Sequence, residues 1–302
     1  MSMVQGIGRR LRQAMGQSNQ RKRSSENPSD CGPCAIIAVA AQKGGVGKTT
    51  TAVHLAASLA ADHGLRVLLL DLDNQGHVIS SLRAHVRGGA AHPISAVLLG
   101  EGPDLLQTLV PTDIDGLDVT AADKRLADTE AQLAGRIGRE LLLRRAMWSA
   151  RQRYDAVVMD CPPNLGLLTL NALMAADHVL VPCDLSILSL EGVDDLVQTL
   201  SSLDRSFGGA PELLGLVHTR VDRRNRRHNE SVREAVAERY GDQVMGSEIG
   251  INTAVSRAQL SGETVYRYSP EARGARDYRA LATEVREIVL PDVTAQVVQM
   301  AS

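Results

Sequence analysis

The chain has 302 residues, 44% hydrophobic and 23% charged, which is the usual balance for a globular protein with a sizeable core. Aromatic residues make up only 2%, so the chain has almost none of the stacking platforms that binders of single-stranded nucleic acid use. The formal net charge of −2 excludes a protein that is basic throughout, so any nucleic-acid surface must be local.

The sequence carries no signature of export or membrane insertion. No apolar run approaches the roughly 20 residues of a membrane span, and the N-terminus lacks the apolar stretch of a secretory signal. The 4 cysteines do not make a disulfide framework in a chain of this size. We therefore expect a cytoplasmic protein.

Residues 1–33 are expected to form a basic, flexible N-terminal tail. Six basic residues against two acidic ones give a net charge of +4; they are Arg9, Arg10, Arg12, Arg21, Lys22 and Arg23 against Glu26 and Asp30. Residues 24–30 then have the composition of a linker. Apolar residues at helical spacing between positions 4 and 15 leave an alternative, an arm that binds DNA or a membrane surface.

From residue 34 onward, short apolar segments alternate with helical ones. Strands are predicted at 35–41, 66–70, 118–121, 156–159, 178–182 and 214–218, with helices at 51–61 and 141–153. Strands that are apolar on both sides and alternate with helices indicate a doubly wound, mostly parallel sheet with helices on both faces. We predict one α/β domain over residues 34–290, followed by a C-terminal tail at 291–302.

The first strand runs into a glycine-rich segment typical of a phosphate-binding loop, which makes the fold a P-loop NTPase type. The segment reads Lys43-Gly44-Gly45-Val46-Gly47-Lys48-Thr49-Thr50 and precedes a helix. Its glycines let the backbone wrap phosphates, while free N–H groups and the helix dipole attract the anion. Lys48 is predicted to reach the β- and γ-phosphates of ATP, and the Thr49 hydroxyl to ligate Mg²⁺.

Two features of this loop depart from the standard pattern. Gln42 stands where that pattern has its first glycine, and Lys43 adds a second lysine at the start of the loop. Only four of the 33 basic residues of the chain are lysines, and two of them are Lys43 and Lys48. Because the planar guanidinium of arginine does not replace a compact ammonium, we infer that both positions require lysine.

Carboxylates follow two of the predicted strands. Asp71 and Asp73 come after the second strand, and Asp160 comes after the fourth. The carboxyl ends of parallel strands meet at one edge of an open α/β sheet, where ligands bind. Asp160 is predicted to hold Mg²⁺ directly or through water, with Asp71 as a further metal candidate, and Asp73 to orient or activate the attacking water. The alternative for each is a helix N-cap or a buried ion pair.

A basic cluster lies in the last third of the chain. It consists of Arg220, Arg223, Arg224, Arg226 and Arg227 around a single Asp222, so five minus one gives +4 within residues 220–227. Arginines before a helix that is predicted to begin near Asn229 make a phosphate clamp that reads no bases. We expect nonspecific binding of double-stranded DNA here. A solvated basic loop, or pairing with Glu230 and Glu234, is the alternative.

The cysteines are expected to be structural, with a redox or shared-metal function of Cys31 and Cys34 as the alternative. Cys31-Gly-Pro-Cys34 spells a thioredoxin-like dithiol, but that chemistry needs the motif after a strand and here it precedes one. Cys183 is interpreted as a small core residue.

The chain resembles the ParA/MinD family of deviant-Walker ATPases, and more closely its ParA/Soj partition branch. The likeness runs from about residue 35 to residue 287, and the segments that carry it are 43–51, 71–76, 154–173, 190–192 and 273–275. The resemblance implies an ATP-dependent homodimer in which Lys43 reaches the partner's phosphates, while Lys48, Thr49, Asp73 and Asp160 have the roles argued above. It also implies nonspecific DNA binding, with Arg224 at a family DNA-surface position, and a ParB-like adaptor that stimulates ATP hydrolysis. Such a cycle partitions plasmid or chromosomal DNA on the nucleoid.

The chain departs from the family pattern in two regions, the turn after the acidic pair and a segment near the expected adenine and DNA surface. Asn74 replaces the usual proline after the acidic pair, and Gly250 and Ile251 replace the proline and arginine of an Ile-Pro-Arg-Asn segment. A following family arginine is Ala254, while Arg257 stands where an acid is common. Asn74 changes the stiffness of its turn, whereas the changes between residues 249 and 257 bear on which residues contact DNA.

Four other classes of protein share this type of phosphate loop, and further features of the sequence distinguish them. A MinD-type membrane-associated ATPase would carry a basic amphipathic C-terminal helix, but residues 291–302 contain no basic residue. A reductase of the nitrogenase-reductase type would need clustered cysteine ligands, which the spacing does not offer. A ParA-like positioner of protein cargo would differ only in its partner. An ATP-dependent metabolic ligase would turn over a small substrate without DNA.

Overall fold

A computed structural model of the chain describes residues 34–291. Its strands are β1 (Ala35–Val39), β2 (Val67–Asp71), β3 (Leu109–Pro111), β4 (Leu117–Thr120), β5 (Ala156–Asp160), β6 (His178–Asp184), β7 (Glu212–Val221) and β8 (Val244–Gly250). They form one 8-stranded sheet in the order β3-β4-β2-β5-β1-β6-β7-β8. All neighbours are parallel except β3 and β4, which pair antiparallel at one edge. The predicted fold class is confirmed.

Helices connect the strands. They are α1 (Lys48–Ala61), α2 (His77–Leu82), α3 (Ile94–Leu99), α4 (Leu126–Leu133), α5 (Leu142–Arg153), α6 (Leu167–Ala175), α7 (Ile187–Phe207), α8 (Arg226–Tyr240), α9 (Thr253–Ser261), α10 (Val265–Tyr268) and α11 (Arg273–Val289). Within the described range, no helix is both long enough and apolar enough to cross a bilayer.

The sheet has a hydrophobic core on each face. Successive side chains of a strand point to opposite faces, so Ile36 and Ala38 of β1 pack in one cluster and Ile37 and Val39 pack in the other. Every residue of β1, β2 and β5 is buried. This two-sided burial explains why the central strands are continuous apolar runs rather than alternating ones.

Two strands escaped the sequence analysis. β3 is a three-residue edge strand that ends in Pro111. Proline has no backbone N–H to donate, and an edge strand tolerates it because one side of that strand has no neighbouring strand. β8 reads VMGSEIG and is only partly buried, so it lacks the apolar run that marked the other strands. α8 begins at Arg226, three residues before the predicted start.

The order of the strands locates the ligand site. β1 pairs with β5 on one side and with β6 on the other, so the chain reverses its winding direction around β1. Ligands bind at such a switch point, outside the carboxyl ends of the strands. The predicted phosphate loop follows β1 at this point. The predicted tails, residues 1–33 and 291–302, lie outside the described residues except for residue 291.

Candidate active site

The phosphate loop joins β1 to α1 with an unusual backbone. Gly45 and Gly47 have φ values of 76° and 89°, a left-handed conformation that favours glycine. No side chain caps the N-terminus of α1, which starts directly after Gly47. A Cβ atom on Gly44 or Gly47 would have no heavy atom within 4 Å, so open space lies beside the loop. Uncapped N–H groups and the helix dipole therefore face a region that a phosphate can enter.

Lys48 is the first residue of α1 and is almost fully buried. Its Nζ donates to the Lys43 carbonyl at 3.2 Å, so the side chain curls back along the loop. Burial lowers the pKa of the ammonium, and the charge of Asp160 opposes that effect. A partly desolvated cation next to uncapped N–H groups is well suited to hold a phosphate.

Two carboxylates stand side by side at the carboxyl edge of the sheet. Asp71 ends β2 and Asp160 ends β5, and the strand register pairs these two residues directly. The register also pairs Val39, at the end of β1, with Asp160, so both carboxylates lie beside the start of the loop. Three strand ends thus gather the loop and the acids, as the sequence analysis expected.

Asp160 has no solvent exposure, and neither of its carboxylate oxygens makes a hydrogen bond of normal geometry within the described residues. Burial raises the pKa of this carboxyl well above its usual range, and the neighbouring Asp71 raises it further. The nearby Thr49 hydroxyl has the opposite effect and lowers the pKa of Asp160. Buried polar atoms normally have partners, so two orphaned oxygens beside Thr49 indicate a site that a cation or its water shell completes.

Asp71 is also buried, but its oxygens accept from the backbone N–H groups of Asp73 at 3.0 Å and Val78 at 3.4 Å. Burial raises its pKa to about 7 despite the hydrogen bond from Asp73. These contacts shape the turn after β2, which supports a structural contribution of Asp71 next to the metal candidates.

Asp73 occupies that turn and is only half-buried. Its Oδ1 accepts from the Gln75 N–H at 3.0 Å. Its backbone N–H donates to Asp71, and its charge raises the pKa values of Asp71 and Asp160. A half-exposed carboxylate at this edge fits a group that orients water.

The residues fit Mg²⁺, provided that other ligands complete the shell. No group of three or more His, Cys, Asp or Glu side chains within residues 34–291 is arranged to hold a metal ion by itself. Mg²⁺ in nucleotide sites is typically held by one or two protein oxygens together with phosphates and water. Thr49 and Asp160 supply such oxygens.

Lys43 does not point into its own phosphate loop. Its Nζ donates to both oxygens of Asp184, at 3.0 and 2.7 Å, and to the Ser186 hydroxyl at 3.1 Å. Burial alone would raise the pKa of Asp184, but hydrogen bonds from Lys43, Ser186 and Ser189 lower it below its ordinary value. The second lysine of the loop is therefore held by the end of β6 and the start of α7 in its own chain.

The structure divides the arginine cluster. The Arg220 guanidinium donates to the Gly45 carbonyl at 2.7 Å, on the phosphate loop. Arg223 donates to Asp277 at 3.4 Å, and its guanidinium packs against the backbone of Gly250, where a Cβ would lie 3.3 Å from Nε. The Gly250 N–H donates to Asp277 at 3.1 Å, a hydrogen bond that a proline at this position could not make.

Arg224 and Arg227 lie toward solvent. Arg224 is 87% exposed and makes a two-pronged ion pair with its own Asp222, at 2.9 and 2.8 Å. Those hydrogen bonds hold the pKa of Asp222 at about 2. Arg227 is exposed on the first turn of α8, and the side chain of Arg226 is outside the described set.

Comparisons with known proteins identify the family of the chain. An AAA domain family matches residues 34–209. The sporulation initiation inhibitor protein Soj of Bacillus subtilis is 37% identical over 250 residues, which cover 83% of this chain and 97% of Soj. The chromosome partitioning protein ParA of Caulobacter vibrioides is 40% identical over 255 residues, which cover 84% and 94%.

The chain belongs to the ParA/Soj family. It is accordingly a P-loop ATPase, as the loop predicted. Among solved structures, cobyrinic acid a,c-diamide synthase from Mycobacterium smegmatis with bound ATP analog and magnesium is 35% identical. That similarity covers 86% of this chain and 97% of the other, with a TM-score of 0.72.

Within this ParA/Soj site, the sequence did not reveal the side chains that form hydrogen bonds with the phosphate loop. Asp184 and Ser186 hold Lys43, and Thr219 donates from its hydroxyl to the Val46 carbonyl at 2.6 Å. One signal was available for Asp184, since it ends a strand at the same carboxyl edge as Asp71 and Asp160. Thr219 carried no signal because its role depends on a strand 173 residues away from the loop in sequence.

The cysteines of this ParA/Soj chain that the structure describes are free and buried. Burial raises the pKa of Cys34 and of Cys183 to about 12, and it also raises the pKa of Cys161. Thiols with raised pKa values are poor nucleophiles, which agrees with a structural role. Because Cys31 lies outside the described residues, the expectation that Cys31 and Cys34 do not form a redox dithiol stays a prediction.

Proposed function

We propose that the chain is a ParA-like ATPase that dimerises on ATP, binds DNA nonspecifically, and partitions DNA with a ParB-like partner that stimulates hydrolysis. The observation that carries the proposal is the position of Lys43. Its ammonium is half-exposed and bound to Asp184, outside its own phosphate loop. A loop lysine that does not serve its own nucleotide is available to a second copy of the chain.

ATP and Mg²⁺ are the cofactors. The Mycobacterium smegmatis structure that holds an ATP analog and magnesium supports this assignment, as do the orphaned oxygens of Asp160. Thr49 and Asp160 would hold Mg²⁺ or its water, and the bound ion would supply positive charge that stabilises the negative charge of the reacting phosphates.

Each residue of the site then has a separate role in ATP hydrolysis. Lys48 and the N–H groups from Gly44 to Lys48 hold the phosphates, and Thr49 and Asp160 hold the metal or its water. Asp73 orients the attacking water from its half-exposed turn. Lys43 stabilises the negative charge on the partner's phosphates in the transition state.

Dimerisation couples to nucleotide through this lysine. Lys43 must leave Asp184 and Ser186 before it can reach across to a partner. Each partly exposed ion pair of this kind contributes little net stability, so a triphosphate anion competes for the ammonium effectively. ATP thus shifts the population toward the dimer by binding it better than the monomer.

The DNA surface is proposed around Arg224 and Arg227. Within the described residues, Arg224 pairs with Asp222 through a largely exposed guanidinium, so a DNA phosphate can replace that ion pair at small cost. The first turn of α8 has no acidic residue and no side-chain cap, and the exposed Arg227 lies in it. Cations at a helix N-terminus oppose the helix dipole, so phosphates would relieve an unfavourable arrangement.

The proposed partner protein and the proposed DNA cargo are supported by the names of the relatives. The Caulobacter protein is a chromosome partitioning protein by name, and this supports a DNA cargo and a ParB-like adaptor. Plasmid or chromosomal DNA fits equally, and a protein cargo would use the same ATPase cycle. The proposed location is the cytoplasm, on the nucleoid.

Substitution of Lys43 tests the proposal. Lys43→Ala is expected to remain monomeric with ATP and Mg²⁺ in sedimentation or light scattering, to hydrolyse ATP at least about 10²-fold more slowly, and to lose retention on duplex DNA. Lys124→Ala is the matched control, because Lys124 is an exposed lysine outside the site. A Lys43→Ala protein that dimerises and hydrolyses ATP like the parent contradicts the proposal.

A metabolic ligase is the second candidate, favoured by the name of the Mycobacterium smegmatis protein. A ligase would consume ATP only with a small acceptor molecule and would not depend on DNA or on dimerisation. Assaying basal and DNA-stimulated ATP hydrolysis without any small acceptor separates the two functions. Hydrolysis that appears only with an acceptor, and that Lys43→Ala retains, favours the ligase.

A further inference from the structure

Arg220 combines an uncommon backbone conformation with a contact to the phosphate loop. Its φ of 53° is the one positive value among the non-glycine residues of the described range. Left-handed backbone with a long side chain is sterically unfavourable and persists only where surrounding contacts hold it. The contact is the hydrogen bond from Nη1 to the Gly45 carbonyl at 2.7 Å.

The residue before Arg220 makes a second contact with the same loop. Thr219 is buried, and its hydroxyl donates to the Val46 carbonyl at 2.6 Å. Two consecutive side chains at the end of β7 therefore bind two consecutive carbonyls of the phosphate loop. The end of β7 and the loop form one unit, although β7 is separated from β1 by β6 in the sheet.

These contacts set the direction of backbone N–H groups. The Gly45 carbonyl belongs to the same planar peptide unit as the Val46 N–H, so a donor that holds the carbonyl also holds the N–H on the opposite side. Thr219 acts in the same way on the Val46–Gly47 peptide. The left-handed glycines that flank Val46 would otherwise let these peptides rotate. A cationic donor also polarises the peptide, which makes its N–H a stronger donor.

We propose that Arg220 is a positioning residue for the nucleotide, which holds the Gly45–Val46 peptide so that its N–H faces the phosphates. The sequence analysis grouped Arg220 with the DNA-binding arginines, but its guanidinium is bound to the phosphate loop. The inference concerns the nucleotide site alone and goes beyond the proposed dimer and DNA cycle.

The test compares three variants in binding of a fluorescent ADP analogue with Mg²⁺, without DNA or partner. A diphosphate analogue keeps the proposed ATP-dependent dimerisation out of the measurement. Arg220→Gly removes the donor and accepts the left-handed backbone, so it should bind about tenfold more weakly while its thermal midpoint stays the same or rises. Arg220→Lys keeps a cationic donor and should stay within about threefold of the parent.

The control is Arg136→Met, because Arg136 also donates to a backbone carbonyl, that of Leu99 at 2.9 Å, outside the phosphate loop. It should bind the analogue like the parent. Steady-state hydrolysis should show a raised KM for ATP and a nearly unchanged kcat in Arg220→Gly, as expected when ground-state and transition-state binding weaken equally.

Three outcomes would overturn the inference. The first is parental affinity for the analogue in Arg220→Gly. The second is an equal loss of affinity and of thermal stability in the Gly and Lys variants, which assigns Arg220 to folding alone. The third is loss of DNA retention at saturating ATP with unchanged analogue affinity, which returns Arg220 to the DNA surface. Because the binding assay contains no DNA, its result is independent of whether the partition function holds.

Discussion

At the scale of single residues, the site contains groups that are costly in the folded chain. Asp160 is fully buried with two orphaned oxygens, and burial raises the pKa of its carboxyl well above the usual range. An acid with a raised pKa in the folded chain loses its proton more easily in the unfolded chain. It therefore lowers the stability of the fold progressively as the pH rises above the pKa of the unfolded chain. Such residues cluster where a ligand completes the site.

Substitution of Asp160 should therefore separate stability from function. Asp160→Asn removes the ionisable group, so the ligand-free protein should gain about 1 kcal/mol or more of unfolding free energy at neutral pH, with a larger gain at higher pH. Mg²⁺-dependent ATP hydrolysis should be lost. Urea unfolding at two pH values and a hydrolysis assay measure the two effects. A less stable variant that still hydrolyses ATP would show that Asp160 is structural.

At the scale of secondary-structure elements, a buried histidine joins three helices. His54 of α1 accepts the Val265 N–H of α10 at its Nε2, at 3.1 Å. Its Nδ1 must then carry the proton and donate to the Thr50 carbonyl at 2.8 Å. The ring stacks on Tyr278 of α11 with centroids 4.8 Å apart. The helices behind the phosphate loop therefore depend on a neutral imidazole.

This arrangement predicts acid sensitivity. Burial lowers the pKa of His54 from 6.5 to about 4. The stabilising effect is complete above the unfolded pKa of 6.5 and is lost as pH falls from 6.5 toward 4, because only the unfolded chain binds the proton in that window. The loss is about 3 kcal/mol at most. Unfolding free energies measured between pH 7.5 and pH 4.5 should show this slope.

The matched variants are His54→Gln and His92→Gln, since His92 is exposed. His54→Gln should be less stable at neutral pH and should lose most of the slope, whereas His92→Gln should keep it. An unchanged slope in His54→Gln would place the acid sensitivity elsewhere in the chain.

At the scale of the whole molecule, DNA binding depends on a local basic segment, because the chain as a whole is slightly acidic. The chain carries a formal net charge of −2, while residues 220–227 carry five arginines and one aspartate. A dimer would present this segment twice, so DNA affinity should depend steeply on both ATP and salt.

Arg224→Ala tests that surface. It should weaken ATP-dependent retention on duplex DNA of any sequence and reduce the salt slope by about one counterion per subunit, with basal ATP hydrolysis unchanged. Arg145→Ala, at an exposed arginine of α5, is the control. A sensor or gel assay at several salt concentrations measures both quantities. Parental retention in Arg224→Ala would remove this arginine from the DNA surface.

The sequence by itself determined the fold class, the phosphate loop and the carboxylates at the strand ends. Each of these depends on short-range patterns: two-sided apolar strands, glycines between a strand and a helix, and acids directly after strands. The topology rule for parallel sheets then brought Asp71 and Asp160 to the same edge, where the structure pairs them. Such patterns can be recognised within windows of about ten residues.

Only the tertiary structure decided which partners the loop residues have. Lys43 pairs with Asp184 across 141 residues of sequence, Arg220 reaches Gly45 across 175, and His54 binds Val265 across 211. No local pattern encodes these contacts, because they depend on how strands and helices pack once both hydrophobic cores are buried. The same packing separates Arg220 from arginines that are only a few residues away in the sequence.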